Sequence, residues 1–227
     1  RCLPGVTLEE LDRLAHETIT GRGGIPSFLG YPGEFAPFPG SACLSVNEAI
    51  VHGLPGPRAL RAGDIISIDI GAILDGWHGD AAITVPVGVV DAAAARLIAD
   101  TEGALLAAIA VARAGNRLAD VSAAVERYGM RRGYGIVRED TGHGIGREMH
   151  EEPSVPNVGA RGRGSGPLLR PGMTFTIEPI FTLGSAEAVP QADGWTVVTA
   201  DGSLAAHVEH TIAITARGPA QILTQTG

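Results

Sequence analysis

Residues 64–86 constrain the fold of this chain more than any other segment. Ile66, Ile68 and Ile70 alternate with Ser67, Asp69 and Gly71, the two-residue period of a strand with unlike faces. Asp75-Gly76 supplies a tight two-residue turn, and a second strand follows from Trp77 to Val87. If those two residues alone close the turn, Asp80 lies opposite Gly71, on the face that carries Asp69 and diagonal to it. A solvated edge would explain two carboxylates on one face, but the run I-I-S-I-D-I is too apolar for that. A cation between them relieves the cost of burying like charges.

Thr7 and Glu10 have the spacing of a capping box, and Leu8, Leu11, Leu14 and Ala15 follow at helical intervals, which predicts a helix over 7–20. Residues 21–45 contain Gly30, Pro32, Gly33, Pro37, Pro39 and Gly40 and read as loop with at most short strands. A loop of that length inside a compact domain is commonly functional. Two Ala-rich helices are expected over 91–113 and 117–132, then strands near 135–139, 173–178 and 205–215. Residues 154–172 and 184–203 read as loops or short hairpins. The order points to one α+β domain spanning 1–227, with helices packed on a sheet.

Net charge of -8 and a pI near 5.3 argue against DNA or RNA as the main partner. No apolar run reaches membrane-spanning length, so no membrane association is expected. Cys2 and Cys43 are too few for a disulfide framework, which suits a reducing compartment.

Further ligand-type residues follow the hairpin. In T-G-H-G-I-G-R-E-M-H-E-E-P, residues 141–153, glycines flank His143 and allow close backbone approach, and His150 lies seven residues on. Thr174, Thr176 and Glu178 share one strand face, and so do His207, Glu209 and Thr211. Four carboxylates and one imidazole make an oxygen-rich set suited to a pair of Mn, Fe, Co or Zn ions. Two such ions together activate water and polarise a carbonyl.

Seven runs, in order and covering nearly the whole chain, resemble the type I methionine aminopeptidases. They are S-V-N-E-A-I-V-H-G (45–53), G-D-I-I-S-I-D-I (63–70), D-G-W-H-G-D (75–80), G-H-G-I-G-R-x-x-H-E-E-P (142–153), G-M-T-F-T-I-E-P (172–179), D-G-W-T-V-V-T (193–199) and V-E-H-T-I (208–212). The resemblance implies a pita-bread fold: an antiparallel sheet with helices on its outer face and two pseudo-twofold halves. It implies Asp69, Asp80, His143, Glu178 and Glu209 as ligands of two divalent ions. His52 and His150 would hold the scissile peptide and stabilise the tetrahedral intermediate, and Glu178 would also carry the proton of the attacking water. Phe28, Tyr31, Phe38, Cys43, Met149 and Trp195, with His52 and His150, would form the substrate pocket. The implied partners are peptides and nascent chains with N-terminal Met, with transient ribosome contact. The implied setting is the cytoplasm, as a monomer.

Three departures stand out. Met149 replaces the bacterial family's usual Phe, and its flexible thioether gives a repacked or roomier pocket. The 32–37 loop is longer than usual, and Phe38 rather than Phe35 is preferred as its pocket residue. His207 stands where the family has Gln, and is expected to donate to a ligand carboxylate or, failing that, to bind metal itself. The family's first helix precedes Arg1, so an N-terminal segment is expected to be missing. Competing readings are a prolidase or aminopeptidase P, a non-catalytic binding protein of the same fold, and a specialised or drug-insensitive paralogue. The large N-terminal domain of the first does not fit 227 residues, and broken ligands are expected of the second. Met149 and His207 keep the third open as an alternative.

Overall fold

A computed structural model describes residues 2–159 and 165–225. Helix α1 (Leu8–Gly21) opens on the expected box: Thr7 Oγ1 accepts the Glu10 N–H at 3.2 Å, and Glu10 Oε2 accepts the Thr7 N–H at 2.8 Å. The Gly/Pro-rich segment contributes β1 (Ile25–Pro26) and leads into β2 (Cys43–Val46) and β3 (Ala49–Val51). The hairpin is β4 (Ile65–Leu74) and β5 (Trp77–Pro86). Helices α2 (Ala92–Val111) and α3 (Leu118–Met130) follow, then β6 (Gly135–Ile136), β7 (Gly142–Gly144), β8 (Glu151–Val155), β9 (Thr174–Ile177) and β10 (Ile180–Thr182). The chain continues through β11 (Ala188–Pro190), β12 (Val197–Thr199), β13 (Ala205–His207), β14 (Glu209–Ala213) and β15 (Gln221–Ile222).

The main sheet runs β1-β4-β5-β14-β9-β7-β8, with β2 beside β4 and β15 beside β14. The hairpin register is the expected one. Asp75 and Gly76 close it with φ of 52° and 76°, and Asp80 pairs with Gly71. Apolar side chains of α2 and α3, including Leu97 and Leu105, bury Phe175, Ile177 and Ile212 of the sheet. On the other half, Leu8, Leu11 and Ala15 of α1 pack against Leu44 and Ile66. Among the described residues no helix is long and apolar enough to cross a membrane.

Three expectations need correction. The strand near 135–139 is only the two residues of β6. The single strand over 205–215 is two strands that break at Val208: β13 pairs with β10 in a second sheet, while β14 pairs with β5 and β9 in the main one. The partner strand breaks in step at Glu178 and Pro179, between β9 and β10. Pro179 has no N–H for a continuous ladder, and the two strands change sheets together there. Strands β7 and β8 form from the glycine-rich run and the start of the expected loop; three residues of G-H-G are too short to show a period. Both β7 glycines are obligatory, since a Cβ on Gly142 would come 2.5 Å from the Thr176 carbonyl oxygen and one on Gly144 would strike that of Glu152. Of the 154–172 loop, residues 160–164 lie outside the described residues.

Leu97 is 0% exposed beneath the sheet. Leu97→Ala is expected to lower unfolding free energy by about 2–5 kcal/mol, through lost transfer energy and the cavity left behind. Urea denaturation checks this, and a loss near zero would mean that α2 does not seal the core.

Candidate functional site

The sheet register assembles the acidic side chains in two rows. Asp69 of β4 pairs with Ala82 of β5, and Ala82 pairs with Glu209 of β14, so a methyl group separates two carboxylates on one face. Cys43 flanks Asp69 from β2. In the adjacent row Asp80 pairs with Gly71, where the Phe28 ring and Ser27 take the space that a Cβ would need. Thr211 replaces the ladder beside Asp80: its Oγ1 donates to the Asp80 carbonyl at 2.7 Å and accepts the Asp80 N–H at 3.0 Å. Thr176 pairs with Thr211, and its hydroxyl accepts the His143 N–H at 3.0 Å. Glu178 follows β9 at the point where the strands change sheets.

Donor atoms of Asp80, His143 and Glu209 all lie within 4.8 Å of one another. His143 Nδ1 faces the Gly144 carbonyl at 3.0 Å, and donation there leaves Nε2 as a lone pair 3.8 Å from Asp80 Oδ2. Asp69 and Glu178 line the same cavity of about 290 Å³. Asp69 Oδ1, Asp80 Oδ1 and Glu209 Oε1 are buried without a hydrogen-bond partner. Unpaired buried oxygens in such number are costly in a protein interior, and divalent ions are the partners this donor set fits.

Burial, and then the charges of Asp80 and Glu178, pushes the Asp69 carboxyl well above the ordinary carboxylate range. Burial followed by Asp80, Glu178 and Asp69 does the same to Glu209. Burial raises Asp80 to about 6 against the pull of His143. For Glu178 burial is the largest influence, yet His207, His143 and His52 together outweigh it and hold the carboxyl below its usual value. His207 Nε2 lies 3.4 Å from Glu178 Oε2, within ion-pair range but without hydrogen-bond alignment.

The opposite wall is apolar. Phe28 and Phe38 meet edge to face at 6.4 Å, and Phe38 meets Trp195 the same way at 5.1 Å. Cys43 and Met149 complete this cluster with Tyr31. Burial first, then Asp69, pushes the Cys43 thiol well up, so it is a neutral wall group. Trp195 Nε1 donates to the Ala36 carbonyl at 3.1 Å and so pins the long 32–37 loop, leaving Phe35 77% exposed and Phe38 buried. Tyr31 and His150 are joined at 2.7 Å between the phenol and Nδ1. Burial, then His143, pushes His150 down to about 4, so the ring is neutral near pH 7. His52 adopts φ of 56°, an unusual conformation for a side-chain-bearing residue, and lies edge to face with Trp195 at 6.3 Å.

A family model described as metallopeptidase family M24 matches residues 1–216. The chain belongs to metallopeptidase family M24. This M24 chain is 50% identical over 222 residues to the methionine aminopeptidase of Clostridium acetobutylicum, covering 97% of the chain and 86% of that protein. It is 50% identical over 230 residues to methionine aminopeptidase 1 of Mycobacterium tuberculosis, covering 97% and 83%. The crystal structure of methionine aminopeptidase from Rickettsia prowazekii matches with a TM-score of 0.94 at 42% identity, covering 99% of this chain and 88% of that one. The M24 fold is the α+β pita-bread arrangement that the motifs imply.

All fourteen residues expected in the site, His207 included, line this one M24 cavity. Sequence reasoning missed Val51, Glu139, Asp140 and Thr141, which line it too. The signal for the acids was present, two carboxylates immediately before T-G-H-G. Three remaining histidines are held by hydroxyls: His16 by Ser41 at 2.9 Å, His78 by Ser27 at 3.0 Å and His210 by Thr224 at 2.9 Å.

Without metal, the raised carboxyls of Asp69, Asp80 and Glu209 hold protons more tightly in the folded chain than in the unfolded one, where they titrate near about 4. Their contribution to stability is therefore complete below about pH 4 and is lost as pH rises through the folded values, beginning near 6 with Asp80. Chelated protein is expected to melt at lower temperature at pH 8 than at pH 5, and Mn²⁺ or Co²⁺ is expected to restore the loss at pH 8. Scanning fluorimetry that finds the same melting temperature in all three conditions would refute the coupling.

Proposed function

We infer that this chain is a metal-dependent methionine aminopeptidase, a single catalytic unit that removes N-terminal Met when the second residue is small. One observation carries this reading: three unpartnered buried oxygens, from Asp69, Asp80 and Glu209, lie at the floor of a cavity with an aromatic wall. Asp69, Asp80, His143, Glu178 and Glu209 would hold two divalent ions of the Mn, Fe, Co and Zn group. When bound, such ions lower the pKa of water and polarise the scissile carbonyl. The same reading has the enzyme act as a cytoplasmic monomer on nascent chains, with transient ribosome contact.

The side chains divide the remaining work. The aromatic wall, with Cys43 and Met149, takes the Met side chain, and the acidic floor draws the free α-amino group toward Asp69. Glu178, kept ionised by its surrounding imidazoles, accepts a proton from the attacking water and returns it to the leaving amine. The C–O bond forms as the water attacks, and the C–N bond breaks as the amine leaves with that proton. His150 suits the developing oxyanion. With the Tyr31 hydroxyl donating to Nδ1, the proton of the neutral ring sits on Nε2, a preorganised donor. His52 holds the scissile peptide from the side facing Trp195.

A second reading, altered first-residue preference, is favoured by Met149, which is buried in the wall at 4% exposure. Met-Ala-Ser assayed against Leu- and Pro-containing peptides, with metal content measured by elemental analysis, tests both. Turnover of Met-Ala-Ser with bound divalent metal supports the main reading, and faster turnover of the Leu peptide supports the second.

His150→Ala is expected to lower kcat about 10²–10³-fold with little change in KM, the signature of a group acting in the transition state. A change confined to KM would remove that role. His207→Gln, which keeps a donor, is expected to retain activity far better than His207→Ala, which strips Glu178 of its neighbour. Equal losses in the two variants would show that His207 does not orient Glu178.

A further inference from the structure

Asp140 lies on the part of the cavity wall that the ligand motifs leave out. It is half-buried, and its charge acts on the His52 ring more strongly than that of Glu178. The segment that carries it is fastened on two sides. Asn157, 1% exposed, donates from Nδ2 to the Asp140 carbonyl at 3.3 Å and to the Glu178 carbonyl at 3.0 Å. The next residue, Thr141, pairs its hydroxyl with Ser154 at 2.9 Å. One buried amide thus ties the position of Asp140 to that of Glu178.

The charges of the cavity do not cancel at this point. Two divalent ions match the four carboxylates of the floor in formal charge. Among the described residues no Arg lines the cavity, and the chain has no Lys, so none of the described residues offers Asp140 a fixed side-chain cation there. Its neighbour Glu139 is exposed and is capped by the Arg138 N–H at 3.1 Å. The first substrate residue occupies the aromatic end, and His52 meets the scissile peptide. A carboxylate facing His52 therefore looks onto the residues that follow that bond. One extended residue spans about 3.3 Å, so the third side chain falls within the Debye length of about 8 Å at physiological ionic strength.

We propose that Asp140 is a specificity-determining residue whose carboxylate favours substrates with Lys or Arg at the third position and disfavours Asp or Glu there. The proposal rests on the aminopeptidase function inferred above. It goes beyond that function by assigning a charge preference to the outgoing side of the cleft.

The test compares Met-Ala-Lys-Gly, Met-Ala-Gln-Gly and Met-Ala-Glu-Gly on the metal-loaded wild type, Asp140→Asn and Glu139→Gln. Calorimetric binding of uncleavable reduced-amide analogues of the three peptides provides a readout independent of turnover. In the wild type kcat/KM is expected to fall in the order Lys, Gln, Glu, with about tenfold between the extremes, as one charge pair in a partly screened cleft gives. Asp140→Asn should compress that ratio to about threefold or less in both turnover and binding, Glu139→Gln should leave most of it, and 0.5 M salt should narrow it. Cleavage of all three peptides with the same ratio in wild type and Asp140→Asn overturns the proposal and leaves the aminopeptidase reading intact. No cleavage of any of them by the wild type would sink both.

Discussion

The architecture of this chain depends on placing four carboxylates inside an apolar sheet. Asp69, Asp80, Glu178 and Glu209 are each less than a tenth exposed or sit on the cavity floor, and three of them present oxygens without a protein partner. Like charges at this density oppose folding unless cations compensate them. The fold makes the arrangement possible by keeping other side chains small. Ala82 stands between Asp69 and Glu209, and Gly71 stands opposite Asp80. Larger residues at either place would displace a carboxylate or, at Gly71, collide with Phe28 and Ser27.

The break in two adjacent strands serves the same end. Where β9 passes into β10 and β13 into β14, Glu178 leaves the regular ladder and Val208, the residue before Glu209, leaves it at a neighbouring point. The backbone groups freed there are used by other elements: Asn157 takes the Glu178 carbonyl, and the Val208 N–H donates to the Pro179 carbonyl at 3.3 Å. His207 is locked just before its break by Thr84, whose hydroxyl donates to the His207 carbonyl at 2.6 Å and accepts its N–H at 2.9 Å. Its ring is thereby presented to Glu178 from a rigid backbone, which a Gln at this position would also receive.

The two halves of the cavity differ in dielectric character, and that difference organises the chemistry. The acidic floor favours positive charge, whether metal or the α-amino group. The aromatic wall carries no formal charge, since Cys43 is held as a thiol and His150 as a neutral ring near pH 7. A neutral imidazole at that boundary donates to an oxyanion without bringing a cation close to the ions.

Local sequence alone was sufficient for the hairpin and its two aspartates, because a two-residue period and an Asp-Gly turn leave one register. It was sufficient also for the three helices, since the Thr7–Glu10 box with its apolar spacing and the Ala-rich composition of the other two are local properties. The G-H-G strand, the split at Val208 and the wall at Asp140 were not legible in that way. Each depends on contacts with distant segments: the Thr176 and Glu152 carbonyls that only glycine admits, the partner strand that breaks at Pro179, and the Asn157 amide that carries residue 140 to the cavity. Sequence determined which residues carry charge and on which strand face they stand. Tertiary structure decided which faces meet, because bringing Asp69, Asp80, His143, Glu178 and Glu209 from five separate segments to one cavity is a property of sheet order and not of any local pattern.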